Sequence, residues 1–574
     1  MPNLKLNHYL IHYFPIADWL KTYTRQDFNG DIFAGIITAI LLVPQGIAYA
    51  ILAGLPPQMG LYASILPPAC YALLGTSRTL SVGPVSIAAI MIASALAIPE
   101  VAALGDPAQS ALILAAESGL IMLLMAVLQM GGLVNFISHP VLAGFTSGAA
   151  LLIIVSQLPQ LADLKPPTCG FDAACYWQYL QGYNPATFIL GITSLSFLIF
   201  FGKPLSTLLK KVKLPLMWVT AISKCGPLLT VFIATFAVTH WDLQGQHGIA
   251  LVGEVPSGFP SINLDFINLQ KWQVLLPSAT FIGLIAYVES VAIAKVTANL
   301  RGEKISPNQE LIALGTANLV TAISGGMAVA GGFSRTMVNF SAGAKTQMAM
   351  LIAAAILGLS VTFFSAWFAN IPKAALAAII IMAVFRLVRI RHIFHTWNYD
   401  RGDGIAELVT LLGVLVLGIE KGITLGIILT LASQLRKTSH PHIAVVGRIP
   451  KTEQYRNINR HVVETWHHLL LVRIDESLTF ANISYVEDYL ADELNRQPNI
   501  KHVVLIFTSV SDIDATALEG LEKINQTLQL SGKTLNISEA KGPVLDKLNK
   551  TDFLDQIKPG KVFFRTEDAA KELG

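Results

Sequence analysis

The sequence contains few charged residues, and their scarcity excludes most soluble proteins. Only 13% of its 574 residues are Asp, Glu, Lys or Arg, whereas soluble globular proteins contain roughly 25%. Between residues 31 and 130 the charged side chains are only Asp31, Arg78, Glu100, Asp106 and Glu117. Hydrophobic residues make up 53% of the chain. The composition therefore predicts that most of the chain lies in a membrane.

Cysteine is scarce as well, with four residues in the whole chain. Their positions do not match a metal-ligand spacing, so neither a metal nor a cofactor is expected. Cys169 and Cys175 share one polar loop, and they would form a disulfide only if that loop faces an oxidising compartment. The net charge of +3 gives no indication of nucleic-acid binding.

Long apolar runs recur from Ile32 to about Leu435 and give about fourteen membrane segments, since a spanning helix needs about 20 apolar residues. Several of these runs are too short to span alone. Loops after even-numbered segments carry most of the basic residues, which predicts cytoplasmic termini. We therefore predict a cytoplasmic segment over residues 1–30, a transmembrane domain over 31–436 and a cytoplasmic domain over 437–574.

Two of these segments are interrupted in the same way. Residues 81–86 (SVGPVS) and 325–335 (GGMAVAGGFSR) are stretches with Gly or Pro that precede short apolar runs. They fall in the third and tenth segments, so a seven-plus-seven inverted repeat would bring them together at the midplane. Paired interruptions of this kind mark the substrate site of many transporters. The alternative is close helix packing at the glycines, which does not account for Arg335.

The C-terminal part has a different pattern. Residues 468–474 and 502–507 are short apolar runs typical of buried strands, and residues 483–494 and 515–530 have helical spacing. Strands that alternate with helices predict a small α/β domain. It contains no glycine loop for phosphate and no nucleophile elbow, so the sequence does not predict an enzyme.

Several strings closely resemble the SulP family of anion permeases. They are residues 33–36 (FAGI), 42–50 (LVPQGIAYA), 55–62 (LPPQMGLY), 75–78 (GTSR), 81–84 (SVGP), 331–339 (GGFSRTMVN) and 342–346 (AGAKT). The C-terminal domain is similar to the STAS domain that usually ends these chains. The resemblance implies a fourteen-helix fold of core and gate domains, a homodimer, elevator-like movement of the core and a cytoplasmic protein partner for the STAS domain.

One turn of the STAS-like domain departs from its relatives. In related bacterial regulators, a serine directly after an aspartate is phosphorylated at a strand–helix turn. Here Ala515 follows Asp514, so switching by that phosphorylation is not expected. Thr516 is interpreted as a structural residue of the early helix.

An anion that leaves water needs donors and positive potential to replace its hydration. Two facing helix N-termini supply free N–H groups and about half a positive charge each. Ser86 and Ser334 would add hydroxyl donors near those ends, and Arg335 would add a full charge. A charged residue at bilayer depth indicates function by default. The alternative is a structural ion pair between Arg335 and Glu289.

Other candidate residues form the walls of the pocket. Gln45 and Tyr49 are four residues apart and therefore share one helical face. The resemblance makes that face a wall of the anion pocket, and the alternative is helix packing. Val85 occupies a position at which some relatives carry phenylalanine, which implies a roomier pocket.

Glu289 lies deep in the eighth segment and is the candidate for ion coupling. Two helix ends give about +1, Arg335 adds one charge and ionised Glu289 removes one. Protonation of Glu289 would raise the total to about +2, which suits a dianion better. Our hypothesis is that Glu289 couples anion uptake to a proton. The alternative is sodium, which some relatives couple through a carboxylate at this position.

The sequence therefore predicts a secondary active anion transporter, with sulfate as the first substrate and a bacterial inner membrane as its location. Dicarboxylate, bicarbonate and chloride remain open as substrates, and exchange remains open as a mechanism. An anion channel, a membrane sensor or enzyme and a nucleobase carrier are the competing functions.

Overall fold

The computed structural model describes residues 14–574 except 104, 136–137, 165–181, 213–218, 220–221, 224, 257, 261, 263 and 268. Cys169 and Cys175 lie outside the described residues, so their disulfide stays a prediction. Much of the predicted 1–30 segment lies outside them too. The chain divides into two compact units, Met1–Ile427 and Ile428–Gly574.

The first unit is helical. Its first half contains α1 (Ile16–Trp19), α2 (Arg25–Leu52), α3 (Pro57–Tyr62), α4 (Leu66–Leu74), α5 (Ser86–Leu96), α6 (Pro99–Ala102), α7 (Pro107–Val127), α8 (His139–Gln157), α9 (Pro185–Phe201) and α10 (Lys203–Lys211). The chain continues through α11 (Gly226–His240), α12 (Leu243–His247), α13 (Leu269–Asn299), α14 (Pro307–Ile323), α15 (Phe333–Ser341), α16 (Met348–Phe368), α17 (Lys373–Phe385), α18 (Ile390–Tyr399), α19 (Arg401–Leu417) and α20 (Ile419–Ser439). Helix α20 extends past the boundary into the second unit.

The described part of the chain contains six helices that are long and apolar enough to cross a membrane. They are Arg25–Leu52, Pro107–Val127, His139–Ala162, Pro185–Lys211, Gln270–Asn299 and Met348–Phe368. Ser86–Leu96 and Gly226–His240 are shorter apolar helices. The polytopic helical fold is therefore confirmed, whereas the count of fourteen segments stays a prediction.

Helix α2 begins where its sequence supplies a capping box. The Thr24 hydroxyl accepts from the Asp27 backbone N–H at 3.2 Å, and the Asp27 carboxylate accepts from the Thr24 N–H at 3.0 Å. This reciprocal pair satisfies N–H groups that the first turn cannot bond internally. The helix then runs 28 residues despite Pro44, which carries Gln45 and Tyr49 into the buried interior of the unit.

The helices of this unit pack in two groups. Helix α7 packs against α13 and α14, and α2 packs against α16. In the other group, α8 packs against α19 and α17 packs against α9. Small residues bring α7 and α14 together, since a Cβ on Gly119 would lie 2.7 Å from the carbonyl oxygen of Gly315. Close backbone approach at glycine is the usual packing device of membrane helices.

The second unit contains one six-stranded sheet. The first unit contains two short strands, β1 (Val82–Gly83) and β2 (Ala330–Gly331). The strands of the second unit are β3 (Ile443–Arg448), β4 (Tyr455–Asn457), β5 (Leu469–Ile474), β6 (His502–Ile506), β7 (Thr534–Ser538) and β8 (Val562–Phe563). The sheet order is β4-β3-β5-β6-β7-β8. Strands β5 to β8 are parallel, and β3 is antiparallel to both of its neighbours.

Helices cover both faces of this sheet, and they are α21 (Ile483–Arg496), α22 (Ala515–Leu530), α23 (Gly542–Leu548), α24 (Phe553–Gln556) and α25 (Thr566–Leu573). Alternate residues of β5 point to opposite faces. Leu470 and Val472 belong to the core with α21 and α22, whereas Leu469 and Leu471 pack with α25. The prediction of an α/β domain is confirmed.

Candidate anion-binding site

The two interrupted segments meet in a short antiparallel ladder. Val82 pairs with Gly331 and Gly83 pairs with Ala330, and the Gly332 N–H donates to the Ser81 carbonyl at 3.0 Å. Each strand leads into a short helix, α5 on one side and α15 on the other. The ladder therefore holds the N-termini of the two half-helices beside each other.

Neither half-helix is capped by a side chain. The residues that precede α5 and α15 are Val85 and Gly332, and both have extended backbones without a side-chain acceptor for the first turn. The N–H groups of an uncapped first turn remain available to a ligand, and the helix dipole adds positive potential there. Both features favour an anion.

Arg335 lies in the first turn of α15 and is 2% exposed. Its Nη1 donates to the Pro84 carbonyl at 2.6 Å and to Oε1 of Gln45 at 3.4 Å. Its Nε and Nη2 are buried and have no hydrogen-bond partner among the described residues. A buried guanidinium with free donors is costly, which indicates that an anion or water completes it.

Two glycines leave room for this guanidinium. A Cβ on Gly332 would lie 2.9 Å from both Cζ and Nη2 of Arg335, and a Cβ on Gly83 would lie 3.3 Å from Nη2. Gly83 also has φ +154, a conformation that L side chains rarely adopt. Glycine at these two positions therefore leaves space for the Arg335 guanidinium beside the ladder.

The predicted wall residues are buried in the same region. Gln45, Tyr49, Val85 and Ser86 are 5%, 6%, 5% and 8% exposed. The Tyr49 hydroxyl lies beside the Ser86 side chain and interacts with the charge of Arg335. Gln45 contacts Arg335 directly. The structure therefore brings the two residues of the α2 face and the start of α5 to the arginine.

Ser334 occupies a different position from its neighbour Arg335. It is exposed and lines a cavity, open at one side, together with Gln45. Residues of α9, α11 and α17 also line this cavity, together with Gly202 and Arg386, which directly follow α9 and α17. Ser334 is therefore accessible from this cavity, and Gln45 both lines the cavity and contacts Arg335.

Glu289 lies on α13 and is half-buried. Its carboxyl lies within electrostatic range of the Arg335 guanidinium and of the Tyr49 hydroxyl. Among the described residues it has no hydrogen-bond or ion-pair partner. The alternative of a direct structural ion pair with Arg335 is therefore absent from this structure, and the carboxyl stays near the site without being bound to it.

Sequence reasoning missed the side chains that hold the ladder. The amide of Asn318 accepts from Val329 N–H at 2.9 Å and donates to Val329 O at 3.0 Å. The Ser290 hydroxyl accepts from Gly331 N–H at 2.8 Å. Both side chains are fully buried. A polar residue in an apolar helix was the available signal, but its partner is not predictable from spacing.

Three further residues tie α15 and the segment after it to residues 79–81, just before β1. The Thr336 hydroxyl accepts from Ser81 N–H at 3.0 Å, and Asn339 donates to the Thr79 carbonyl at 3.0 Å. Gln347 donates to the Leu80 carbonyl at 3.1 Å. These contacts join residues more than 250 positions apart in the sequence. They make the two interrupted segments one connected body.

In the described part of the chain, no cluster of three or more His, Cys, Asp or Glu side chains is arranged to hold a metal ion. The donor set at the site consists of backbone N–H groups, hydroxyls, an amide and a guanidinium. Such donors suit an oxyanion or a halide rather than a cation.

The fold and this site define a membrane transporter for anions. A profile of the sulfate permease family matches residues 28–410, and a profile of the STAS domain matches residues 460–570. The chain belongs to the sulfate permease family. The resemblance of the sequence motifs to anion permeases and to the STAS domain is therefore confirmed.

Curated relatives extend over nearly the whole chain. High affinity sulfate transporter 2 of Stylosanthes hamata is 30% identical over 98% of this chain and 87% of its own. Probable sulfate transporter 4.2 of Arabidopsis thaliana is 33% identical over 97% of this chain and 83% of its own. Because these relatives are transporters and not enzymes, the protein is an anion transporter, as predicted.

Solved structures share the fold. The murine solute carrier 26 family member A9 anion transporter, in its inward-facing state, has a TM-score of 0.86 at 20% identity, over 99% of this chain and 94% of that chain. The transmembrane domain of a cyanobacterium bicarbonate transporter has a TM-score of 0.58 at 20% identity, over 70% of this chain and 98% of that chain. These similarities concern the fold.

The predicted location in a bacterial inner membrane is wrong. The matching relatives are plant proteins, and one of them is named sulfate transporter 4.1, chloroplastic. They point to a eukaryotic origin. The error has a physical reason: apolar runs and basic loops report only that a chain crosses a bilayer, and different membranes share a hydrocarbon core about 30 Å thick.

Proposed function

We propose that this protein is a secondary active sulfate transporter that binds the anion between the N-termini of α5 and α15. The observation that carries the proposal is Arg335, a buried guanidinium with two nitrogens unpartnered among the described residues. Two uncapped half-helices add positive potential at the same place. The two plant relatives are named as sulfate transporters.

Proton coupling through Glu289 is the second part of the proposal. The carboxyl lies within electrostatic range of Arg335, and no described residue forms a hydrogen bond with it. A proton on Glu289 would remove one negative charge beside the site and strengthen its attraction for a dianion. Release of the anion on the other side would then favour release of the proton.

Elevator-like movement is the third part. The hydrogen bonds of Thr336, Asn339 and Gln347 support it because they make the half-helices and the ladder one body. The cavity beside Ser334 lies between this body and the helices α9, α11 and α17. One packed body slides past another more easily where the surface between them is apolar than where hydrogen bonds join them. The homodimer and the STAS partner stay predictions.

Uptake of labelled sulfate into proteoliposomes tests the proposal, with proton and sodium gradients imposed separately. We expect an inward proton gradient to drive sulfate accumulation by the unmodified protein. Glu289→Gln should still exchange sulfate, because a neutral amide mimics the protonated carboxyl, but it should lose gradient-driven accumulation. Accumulation that requires sodium would instead assign Glu289 to sodium coupling. Unchanged proton-driven accumulation by Glu289→Gln would refute its coupling role.

A further inference from the structure

The cavity beside Ser334 has a second wall that sequence reasoning left unassigned. Arg386 follows the last residue of α17 and lines this cavity. Its side chain is exposed and has no hydrogen bond or ion pair with any described residue. A Cβ on Gly202 would lie 3.9 Å from its Nη2, so the guanidinium lies beside the end of α9.

A second polar group lies on the same wall. Ser223, just before α11, lines the cavity, and its Oγ is buried without a hydrogen-bond partner among the described residues. A buried hydroxyl without a partner is unfavourable, so such a group indicates a ligand or an ordered water. The hydroxyl of Ser334 lines the cavity from the opposite wall.

The charge that lines this cavity is positive. Among the described residues that line it, Arg386 is charged and none is acidic. Arg386 is also followed by Arg389 and Arg391, and basic residues near the ends of membrane helices favour the cytoplasmic side. The cavity therefore lies next to Gln45, which contacts Arg335, and its Arg386 end belongs to the loop predicted to be cytoplasmic.

We propose that Arg386 and Ser223 form a second anion contact, which holds the anion at the cytoplasmic mouth of the cavity next to Ser334. This contact rests on the proposed function, because it serves the same anion. It differs from the Arg335 site in its electrostatics. Arg335 is buried with fixed donors, whereas Arg386 acts through an open cavity where salt screens its charge. The contact attracts the anion from the cytoplasmic side and receives it on release.

The full chain, reconstituted in proteoliposomes, provides the test. Half-saturating sulfate concentrations are measured separately at the cytoplasmic and opposite faces, by counterflow at low and high ionic strength. Removal of one positive charge near a dianion in a wet cavity should raise the cytoplasmic value by roughly five- to tenfold at low salt. Arg386→Gln should therefore show this rise, with less salt dependence, and the opposite face should change less than about twofold.

Two further variants separate charge from structure. Arg386→Lys keeps the charge and should recover most of the affinity and the salt dependence. Arg391→Gln removes a nearby charge that does not line the cavity, and it should behave like the unmodified protein. Ser223→Ala should produce a smaller rise, about two- to threefold, because a neutral hydrogen bond is weaker than a charged one.

The inference is overturned if Arg386→Gln matches Arg391→Gln at the cytoplasmic face. It is also overturned if Arg386→Gln weakens both faces equally, since that would indicate a general disturbance of the site. Failure of the proposed function is distinguishable. In that case the unmodified protein itself would not transport sulfate, whereas normal transport with an insensitive Arg386→Gln would reject only the second contact.

Discussion

Replacement of Arg335 by glutamine is the perturbation with the largest expected effect on anion binding. The side chain has two nitrogens, Nε and Nη2, that are buried and unpartnered among the described residues. Its third nitrogen, Nη1, is held by the Pro84 carbonyl, so the guanidinium is oriented before the anion arrives. A preoriented group loses less entropy on binding.

The magnitude follows from these two donors. A hydrogen bond to a charged group contributes about 1.5–3 kcal/mol net. Two such bonds give roughly 3–6 kcal/mol, or about a 100- to 20,000-fold loss of affinity. Arg335→Lys keeps the charge but loses the planar fork, so we expect an intermediate loss of roughly 10- to 100-fold.

Thermal unfolding of the purified protein in detergent, with and without sulfate, measures this effect independently of transport. A ligand at 100 times its dissociation constant stabilises the folded state by about 2.7 kcal/mol. We expect a sulfate-dependent rise in Tm for the unmodified protein, a smaller rise for Arg335→Lys and none for Arg335→Gln. If Arg335→Gln keeps the full sulfate-dependent rise, Arg335 does not bind the anion.

Three further predictions concern packing and charge. Gly332→Ala places a Cβ 2.9 Å from the Arg335 guanidinium, so sulfate uptake should fall at least tenfold. In the control variant Gly132→Ala the new Cβ meets nothing within 4 Å, so uptake should be unchanged. Equal uptake by both variants would contradict the glycine argument. Phe507→Ala empties a fully buried position of the STAS domain and should cost about 3–5 kcal/mol of its unfolding free energy, measured by denaturant titration; a loss under 1 kcal/mol would contradict the packing described. Burial alone would raise the pKa of Asp475, but hydrogen bonds from Arg473 and His442 hold that pKa below its usual value. The resulting stability is present at neutral pH and is lost as pH falls through the lowered pKa. Acidification should therefore lower the unfolding free energy of this domain by less in Asp475→Asn than in the unmodified protein.

The sequence was sufficient to predict that the two interrupted segments meet. Two Gly-containing interruptions before short apolar runs indicated paired half-helices, and the structure joins them through Val82 and Gly331. Arg335 was predictable because a charge is rare at bilayer depth. These features were visible because each depends on a local pattern of residue types.

The remaining parts of the site depend on contacts between distant positions. Asn318, Thr336 and Gln347 are ordinary polar residues in the sequence, and their roles follow from carbonyl and N–H partners that the fold brings to them. Arg386 belongs to a basic loop, and the charge pattern does not reveal which loop residue lines a cavity. Sequence patterns also do not distinguish a half-helix from a short spanning helix.

A structure of the protein with selenate, a heavier analogue of sulfate, tests the central claim most directly. The account predicts anomalous density between the N-termini of α5 and α15, within hydrogen-bond distance of Nη2 or Nε of Arg335. The same experiment on Arg335→Gln should show no density there. Selenate bound elsewhere in the transmembrane unit, with this position empty in the unmodified protein, would contradict the account.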